Sequence, residues 1–324
     1  MDRMSFITSR WAALLARRLF QVVALALLIG TLCFFMVRSL PGDMAMRVAA
    51  GRYGYDMVGN AAAAAVTAEL GLDRPLWQAL LQWWADIARL DLGRSLVTGN
   101  TVWAEVAHQL GATVDLAVAA VFLSCLIGLP LGVWAGLRPG GAMDRLTLLM
   151  AVAFRATPPF LLSVLLMLVV AVQLGMLPVA GEHEHGGVML PALTLALGMA
   201  AGLARVARSA MLQATRSPSW EFARLKGLGD GQVLLRLGLR HAGVPVVAYL
   251  GVQTVFLLEG ALVVETLFAW PGIGHAMVHA IFGRDVPMIQ GTALCMGLLF
   301  VLFNLLVDAA TLAIDPRQRR AGAA

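Results

Sequence analysis

The sequence predicts an all-α membrane protein with six transmembrane helices. Hydrophobic residues make up 60% of its 324 residues and charged residues only 13%, which is about half of the charged share of a soluble domain. The apolar residues are gathered into six stretches, and each is close to the roughly 20 residues that span a bilayer as a helix. These stretches are 19–37, 114–137, 148–174, 190–212, 244–268 and 291–314.

The basic residues predict that both termini lie in the cytoplasm. With the N-terminus inside, 16 of the 24 Lys and Arg residues fall in the inner segments, and the short outer loop at 175–189 has none. Because cytoplasmic loops carry an excess of Lys and Arg, this orientation is favoured. The same bias accounts for the net charge of +5, so no nucleic-acid binding is predicted.

Four regions follow from this topology. Residues 1–37 hold the cytoplasmic N-terminus and the first transmembrane helix, whose apolar run is too long for a signal peptide and lacks a small-residue cleavage site. Residues 38–112 form an extracytoplasmic insert, residues 113–314 form a five-helix core with a polar loop at 213–243, and residues 315–324 form a cytoplasmic tail.

The insert at 38–112 is predicted to be helical. Residues 61–70 are rich in alanine, and apolar residues recur at helical spacing between 76 and 87. Gly71, Pro75 and Gly93 separate these segments. Two interpretations stay open: a subdomain that lies partly on the membrane with its tryptophans at the interface, or a packed cap without a partner.

Glycines recur every four residues in two of the spans. Gly128, Gly132 and Gly136 form one series, and Gly198 and Gly202 repeat the spacing. Small residues at this spacing allow two membrane helices to approach closely. We therefore expect both series to lie at helix contacts.

Several residues inside the spans are candidates for a translocation path. The ionisable residues there are Arg155, Glu259, Glu265 and Asp308. Charged groups at such depth are costly and indicate either pairing between helices or contact with the substrate, and both stay open for Arg155 and Glu259. Glu265 and Asp308 are expected near the interfaces, within reach of water. Pro158 and Pro159 must kink or break the third span, which fits either a helix that lines a pore or a static kink.

The polar loop at 213–243 is predicted to contain one short helix. Ser217 can cap its start, Pro218 suits its first turn, and Glu221 complements the positive end of the helix dipole. Gly227 and Gly229 are expected to stop the helix after two or three turns. A helix so short is not stable alone in water, so we expect a partner to hold it.

The chemistry of an enzyme is missing from the sequence. Lys226, the only lysine, is followed by Gly227 rather than Ser or Thr, so the chain has no P-loop. Neither a metalloprotease motif nor a hydrolase elbow occurs, and no cofactor is expected on this chain. His183 and His185 lie in a Glu-His-Glu-His run, which indicates either a solvated loop or a weak metal site.

The motifs together identify a family. Glu221-Phe-Ala-Arg-Leu-Lys-Gly227 resembles the Glu-Ala-Ala-x-x-x-Gly coupling motif of ABC importer permeases. The continuation through Arg-His-Ala-Gly-Val-Pro at 240–245 resembles the branch that serves dipeptides, oligopeptides and nickel. Seven further motifs of this branch occur in order along the chain, three upstream at 40–43, 70–75 and 91–95, and four downstream at 264–274, 284–287, 304–308 and 315–317.

This resemblance implies a type I ABC importer permease fold in a bacterial inner membrane. It also implies four kinds of partner: a homologous second permease, two cytoplasmic ATPases that use ATP and Mg, an extracytoplasmic binding protein, and the lipid bilayer. The short helix would sit in a groove on an ATPase. The residues implied in coupling are Ser217, Glu221, Phe222, Ala223, Lys226, Gly227 and Gly229.

The implied substrates are short peptides, with nickel or a metal chelate as the alternative. The chain departs from the family pattern at Phe222, where the motif has alanine, and at His241, where this branch usually has asparagine. A different class of function, a proton-coupled secondary transporter using Glu259 or Asp308, predicts inverted internal repeats that are not found in the sequence.

Overall fold

Every regular element that the structure describes is helical. The computed structural model describes residues 2–39, 45–46, 49–50, 59–70, 74–179, 187–283 and 285–314. In chain order the elements are α1 (Asp2–Ser39), α2 (Asn60–Leu70), α3 (Leu76–Ala88), α4 (Val102–Leu137), α5 (Ala142–Ala156), α6 (Pro159–Leu166), the π-helix π1 (Met167–Gln173), α7 (Met189–Thr215), α8 (Pro218–Leu225), α9 (Asp230–Val233), the π-helix π2 (Leu234–Gly238), α10 (Leu239–Leu267), α11 (Ile273–Gly283) and α12 (Val286–Ile314).

Five helical stretches among the described residues are long and apolar enough to cross a membrane. They are Arg18–Met36, Val102–Leu137, Met189–Thr215, Asp230–Thr254 and Val286–Ala309. A sixth is present if α5 and the α6–π1 segment count as one broken span. The prediction of an all-α membrane protein is therefore confirmed. One stretch begins before the predicted 244, because α9 and π2 run directly into α10.

The predicted break at Pro158 is also confirmed. α5 and the α6–π1 segment meet at an angle of 108°. Thr157 is extended, with a ψ of 119°, because the ring of a following proline disfavours helical backbone at the preceding residue. Pro158 is extended as well, and Pro159 opens α6, where a proline lacks only a hydrogen bond that the helix end does not make.

The chain divides into two compact units. One consists of residues 1–112 and 272–302, and the other of residues 113–271 and 303–324. In the first unit, Leu92, Val102 and Val106 pack with apolar side chains of α11 and α12. In the second unit, Leu203 and Ala207 of α7 pack with Val246 of α10.

A buried carboxylate organises one loop of the first unit. Asp285 is 3% exposed and accepts hydrogen bonds from the hydroxyl of Ser95 and from the backbone N–H groups of Leu96 (3.1 Å) and Val97 (3.4 Å). It also accepts from the N–H of Met288 (3.3 Å) in the first turn of α12. One side chain thus caps α12 and holds the loop at 95–97, so its charge is well solvated by the protein.

The glycine series of α4 forms a close helix contact in the second unit. Gly128, Gly132 and Gly136 face the α7 backbone at Ala200, Ala204 and Arg208 respectively. A Cβ atom at position 128 or 136 would lie 2.8 Å from a carbonyl oxygen of α7, closer than van der Waals contact permits. Close packing by this series is therefore confirmed.

The two glycines of the second series, Gly198 and Gly202, differ in how closely they are packed. Gly202 lies against the ring of Tyr249 in α10, which leaves no room for a side chain. Gly198 has open space where its Cβ would be, with no described atom within 4 Å. The expectation of close packing is right for Gly202 and wrong for Gly198, because the two residues face different surroundings on α7.

We predict opposite effects of the same substitution at Gly132 and Gly198. Gly132→Ala places a methyl group against the backbone of Ala204, and such overpacking typically costs about 1–3 kcal/mol. Gly198→Ala enters open space and raises helix propensity by up to about 1 kcal/mol. Thermal unfolding of the two purified variants in detergent should show a lower Tm for the first only. Equal melting temperatures would contradict the helix contact described here.

Candidate functional site

The short helix predicted in the polar loop is α8, Pro218–Leu225. Ser217 caps its start: the hydroxyl accepts from the N–H of Trp220 (3.4 Å) and donates to the carbonyl of Ala214 (2.7 Å) at the end of α7. Pro218 occupies the first helical position and Glu221 the first turn. The predicted start of this helix, with a serine cap followed by a proline in the first turn, is therefore confirmed.

The end of α8 depends on one glycine. Gly227 has a φ of +80°, and its N–H donates to the carbonyl of Arg224 (2.9 Å) while Leu228 donates to Ala223 (3.3 Å). This pair of bonds is a Schellman motif, which favours glycine at the left-handed position. Gly229 has a φ of −63° and precedes α9. The helix is stopped by Gly227, and the expectation that Gly229 shares this role is wrong.

One face of α8 is held by the chain itself. Trp220 and Ala223 are buried and pack with Met211 of α7 and Val233 of α9. Partly buried apolar residues complete the cluster: Val133, Leu228, Leu234 and Leu237. Trp220 also lies over Gly238, where a Cβ would be 3.1 Å from the indole ring. The support that a helix of this length needs thus comes from α4, α7 and π2 of the same chain.

The opposite face of α8 carries apolar side chains without cover. Phe222 is 58% exposed and Leu225 is 85% exposed. Residues three apart are neighbours on a helix surface, so the two side chains form one apolar patch. Lys226 holds its ammonium group 4.6 Å from the centre of the Phe222 ring, a cation–π contact. Glu221 is exposed one residue away.

An ion pair that the sequence did not predict fixes α7 before it reaches α8. Arg208 binds Asp144 at two points, with its Nη2 2.8 Å from Oδ2 and its Nε bonded to Oδ1. The N–H of Gly140 donates to the same carboxylate (2.8 Å). A forked arginine–carboxylate pair restricts both distance and angle. It therefore ties the start of α5 to α7, about two helical turns before α7 ends.

The candidate path residues are not joined to one another. Arg155 is exposed near the end of α5, Pro158 lies at the break that follows, and Glu259 is exposed on α10. Within the described part of the chain, neither Arg155 nor Glu259 has an ion-pair or hydrogen-bond partner. An exposed arginine and glutamate of this kind are free to face water or another molecule.

Glu265 and the two histidines of the outer loop were also named as candidate functional groups. Glu265 is fully buried and accepts a hydrogen bond from the hydroxyl of Thr113 (2.7 Å), so the expectation that water reaches it is wrong. His183 and His185 lie outside the described residues. No group of three or more metal-ligating side chains occurs among the residues that the structure does describe.

Comparison with known proteins places the chain in one family. Residues 128–320 match the family described as the binding-protein-dependent transport system inner membrane component. The glutathione transport system permease protein of Pectobacterium atrosepticum is 37% identical over 303 residues, which are 94% of this chain and 97% of that protein. The protein of the same name from Escherichia coli strain K12 is 34% identical over the same shares.

Solved structures support the fold. The chain is similar to a chain of the MetNI methionine ABC transporter in an inward-facing conformation, with a TM-score of 0.54 and 20% identity over 65% of this chain and 96% of that one. It is also similar to a chain of an amino acid ABC transporter crystallised with histidines, with a TM-score of 0.50 over 65% and 94%. At such identity these matches show the fold alone.

The family assignment fixes the general role of the chain. A permease subunit is not itself an enzyme, and membership of this family implies partner ATPase and binding-protein subunits. The apolar helices agree with a multi-pass protein of the bacterial inner membrane. This chain is a permease subunit of an ABC importer and belongs to the family of binding-protein-dependent transport system inner membrane components.

Proposed function

We propose that this chain forms half of the translocation path of an importer of short peptides, and that α8 is the element through which ATPase subunits drive it. The observation that carries the proposal is the division of α8 into two faces. Trp220 and Ala223 are buried against the chain, while Phe222 and Leu225 are exposed. An apolar patch in a loop this polar favours a protein groove as its partner.

The capped ends of α8 and its contacts with α7 would allow a movement of α8 to be passed on to the spans. The helix is capped by Ser217 at its start and closed by Gly227 at its end, so it can move as one rigid body. Displacement of α8 would reach α7 through the contact of Trp220 with Met211, and would reach α5 through the ion pair of Arg208 with Asp144. Such coupling suits a shift between two states of the spans.

The source of energy in this proposal lies outside the chain. ATP and Mg would be bound by two cytoplasmic ATPases, and a homologous second permease would supply the other half of the path. Closure of the ATPases on ATP would pull on α8 and favour one orientation of the path over the other. Arg155, Pro158 and Glu259 are proposed to line this path, because the side chains of the two charged residues are exposed and the described chain holds neither in an ion pair or hydrogen bond.

The substrate class is argued from the relatives. The proteins that match over 94% of this chain carry glutathione transport in their names, and glutathione is a short peptide. We therefore propose short peptides, with glutathione as the first to test. An extracytoplasmic binding protein would deliver them. Nickel or a metal chelate is the alternative.

Removing the apolar patch of α8 should uncouple transport. Loss of a buried leucine or phenylalanine contact costs about 1.5–3 kcal/mol, so Leu225→Ser combined with Phe222→Ser should lower uptake by at least tenfold. Because both side chains are exposed in this chain, the amount of inserted protein should not change. The measurement is peptide uptake per inserted transporter in proteoliposomes. Ser219→Ala, exposed on the same helix, is the control, and full uptake by the double variant would refute the docking role.

The two glycines after α8 should differ in their tolerance of alanine. Gly227→Ala forces a side chain into the left-handed region at a cost of about 1–2 kcal/mol, which should loosen the end of α8 and reduce uptake several-fold. Gly229 has an ordinary φ of −63°, which alanine also adopts, so Gly229→Ala should retain uptake. Uptake assays and amide exchange at Leu228 measure the two effects. Equal losses in both variants would argue against a rigid α8.

The substrate can be tested in whole cells. Deletion of the gene for this chain should abolish uptake of labelled glutathione or of a labelled dipeptide, and expression of the wild-type chain should restore it. His183→Ala with His185→Ala should leave peptide uptake unchanged, because imidazoles suit divalent cations and a peptide does not need them. Loss of nickel accumulation alone, with peptide uptake intact, would favour the alternative substrate.

A further inference from the structure

The helix α3 packs against the first candidate span. The indole N–H of Trp83 donates to the carbonyl of Gly30 (3.1 Å), and that of Trp84 donates to the hydroxyl of Thr31 (3.2 Å). Gly30 permits this approach, since a Cβ there would lie 2.8 Å from the terminal carbon of Ile87. Two directional bonds and a close contact therefore fix α3 along α1.

The position of this contact sets the depth of α3. Gly30 and Thr31 lie within the apolar stretch Arg18–Met36, at least five residues from either end. At a rise of 1.5 Å per residue, this is about 7 Å inside the end of the span. The part of α3 that carries Trp83 and Trp84 therefore lies beside the apolar stretch of α1 and not beyond its end.

The rest of α3 has one apolar sector and one polar sector. Residues are about 100° apart around a helix, which places Trp77 and Leu81 directly beside the sector that contacts α1. They are 62% and 54% exposed. Gln78, Gln82 and Arg89 lie on the far side and are exposed as well. Apolar and polar residues thus divide the helix lengthwise, as in helices that lie in the plane of a membrane surface.

We propose that α3 is a membrane-embedded anchor whose Trp77 and Leu81 face lipid acyl chains, while Gln78 and Gln82 face the headgroups and water. The neighbouring surface of α1 supports lipid as the occupant, because Leu28, Leu32 and Phe35 are exposed at the same level of an apolar span. Tryptophan favours this boundary, where its ring is apolar and its N–H finds a partner. The insert at 38–112 would then help to hold α1 at a fixed depth.

The test compares two positions on α3 with nitroxide spin labels. The full chain is reconstituted in lipid nanodiscs after Cys33, Cys125 and Cys295 are replaced by alanine, and Leu81→Cys or Gln82→Cys carries the label. Position 82 lies in the polar sector, about 100° from Leu81 around the helix, and is the matched control. Accessibility of each label to oxygen, which concentrates in lipid, and to a water-soluble nickel chelate is measured by power saturation.

The proposal expects a several-fold higher ratio of oxygen to chelate accessibility at position 81 than at position 82. Equal ratios at the two positions would mean that α3 does not have one sector in lipid and the other in water, and would overturn it. Shielding of position 81 from both reagents would also overturn it, because a protein surface would then cover this sector. Trp77→Cys, labelled in the same way, gives an independent reading if the Leu81 variant does not fold.

Discussion

The absence of water from the bilayer interior is the constraint on which this structure depends. Every backbone N–H and C=O group inside the hydrocarbon layer must be bonded within the protein, and a helix is the open-chain structure that achieves this. The third predicted span departs from the helix at the extended pair Thr157–Pro158, between α5 and α6. Such a break is tolerated where protein or water surrounds it, which favours a position along a path.

Three buried carboxylates are each satisfied by specific partners. Asp285 collects four donors, Asp144 binds a forked guanidinium and a backbone N–H, and Glu265 accepts from Thr113. Each of these carboxylates joins segments that are distant in the chain. Breaking one would leave a desolvated charge, which costs more than the bond itself contributes. They therefore fix the arrangement of helices more than they add to stability.

Local features of the chain could be predicted from sequence, and tertiary ones could not. Ser217 and Gly227 were correctly expected to start and stop α8, because a cap bonds only to residues within a few positions. The spacing of Gly198 alone indicates a packing residue, yet spacing does not say whether a neighbouring helix covers that level of α7. Arg208 and Asp144 are 64 residues apart, so no local pattern pairs them.

Two amphipathic helices, α3 and α8, show how charge decides what covers an exposed apolar surface. Phe222 and Leu225 lie within one turn of Glu221, Arg224 and Lys226, and taking those charges into lipid would be costly. Trp77 and Leu81 continue an apolar sector, and the nearest charged groups lie on the polar sector or beyond the ends of the helix. The first surface therefore suits a protein groove with a wet rim, and the second suits acyl chains. In both helices tryptophan holds one face to the chain, which leaves the other face for its partner.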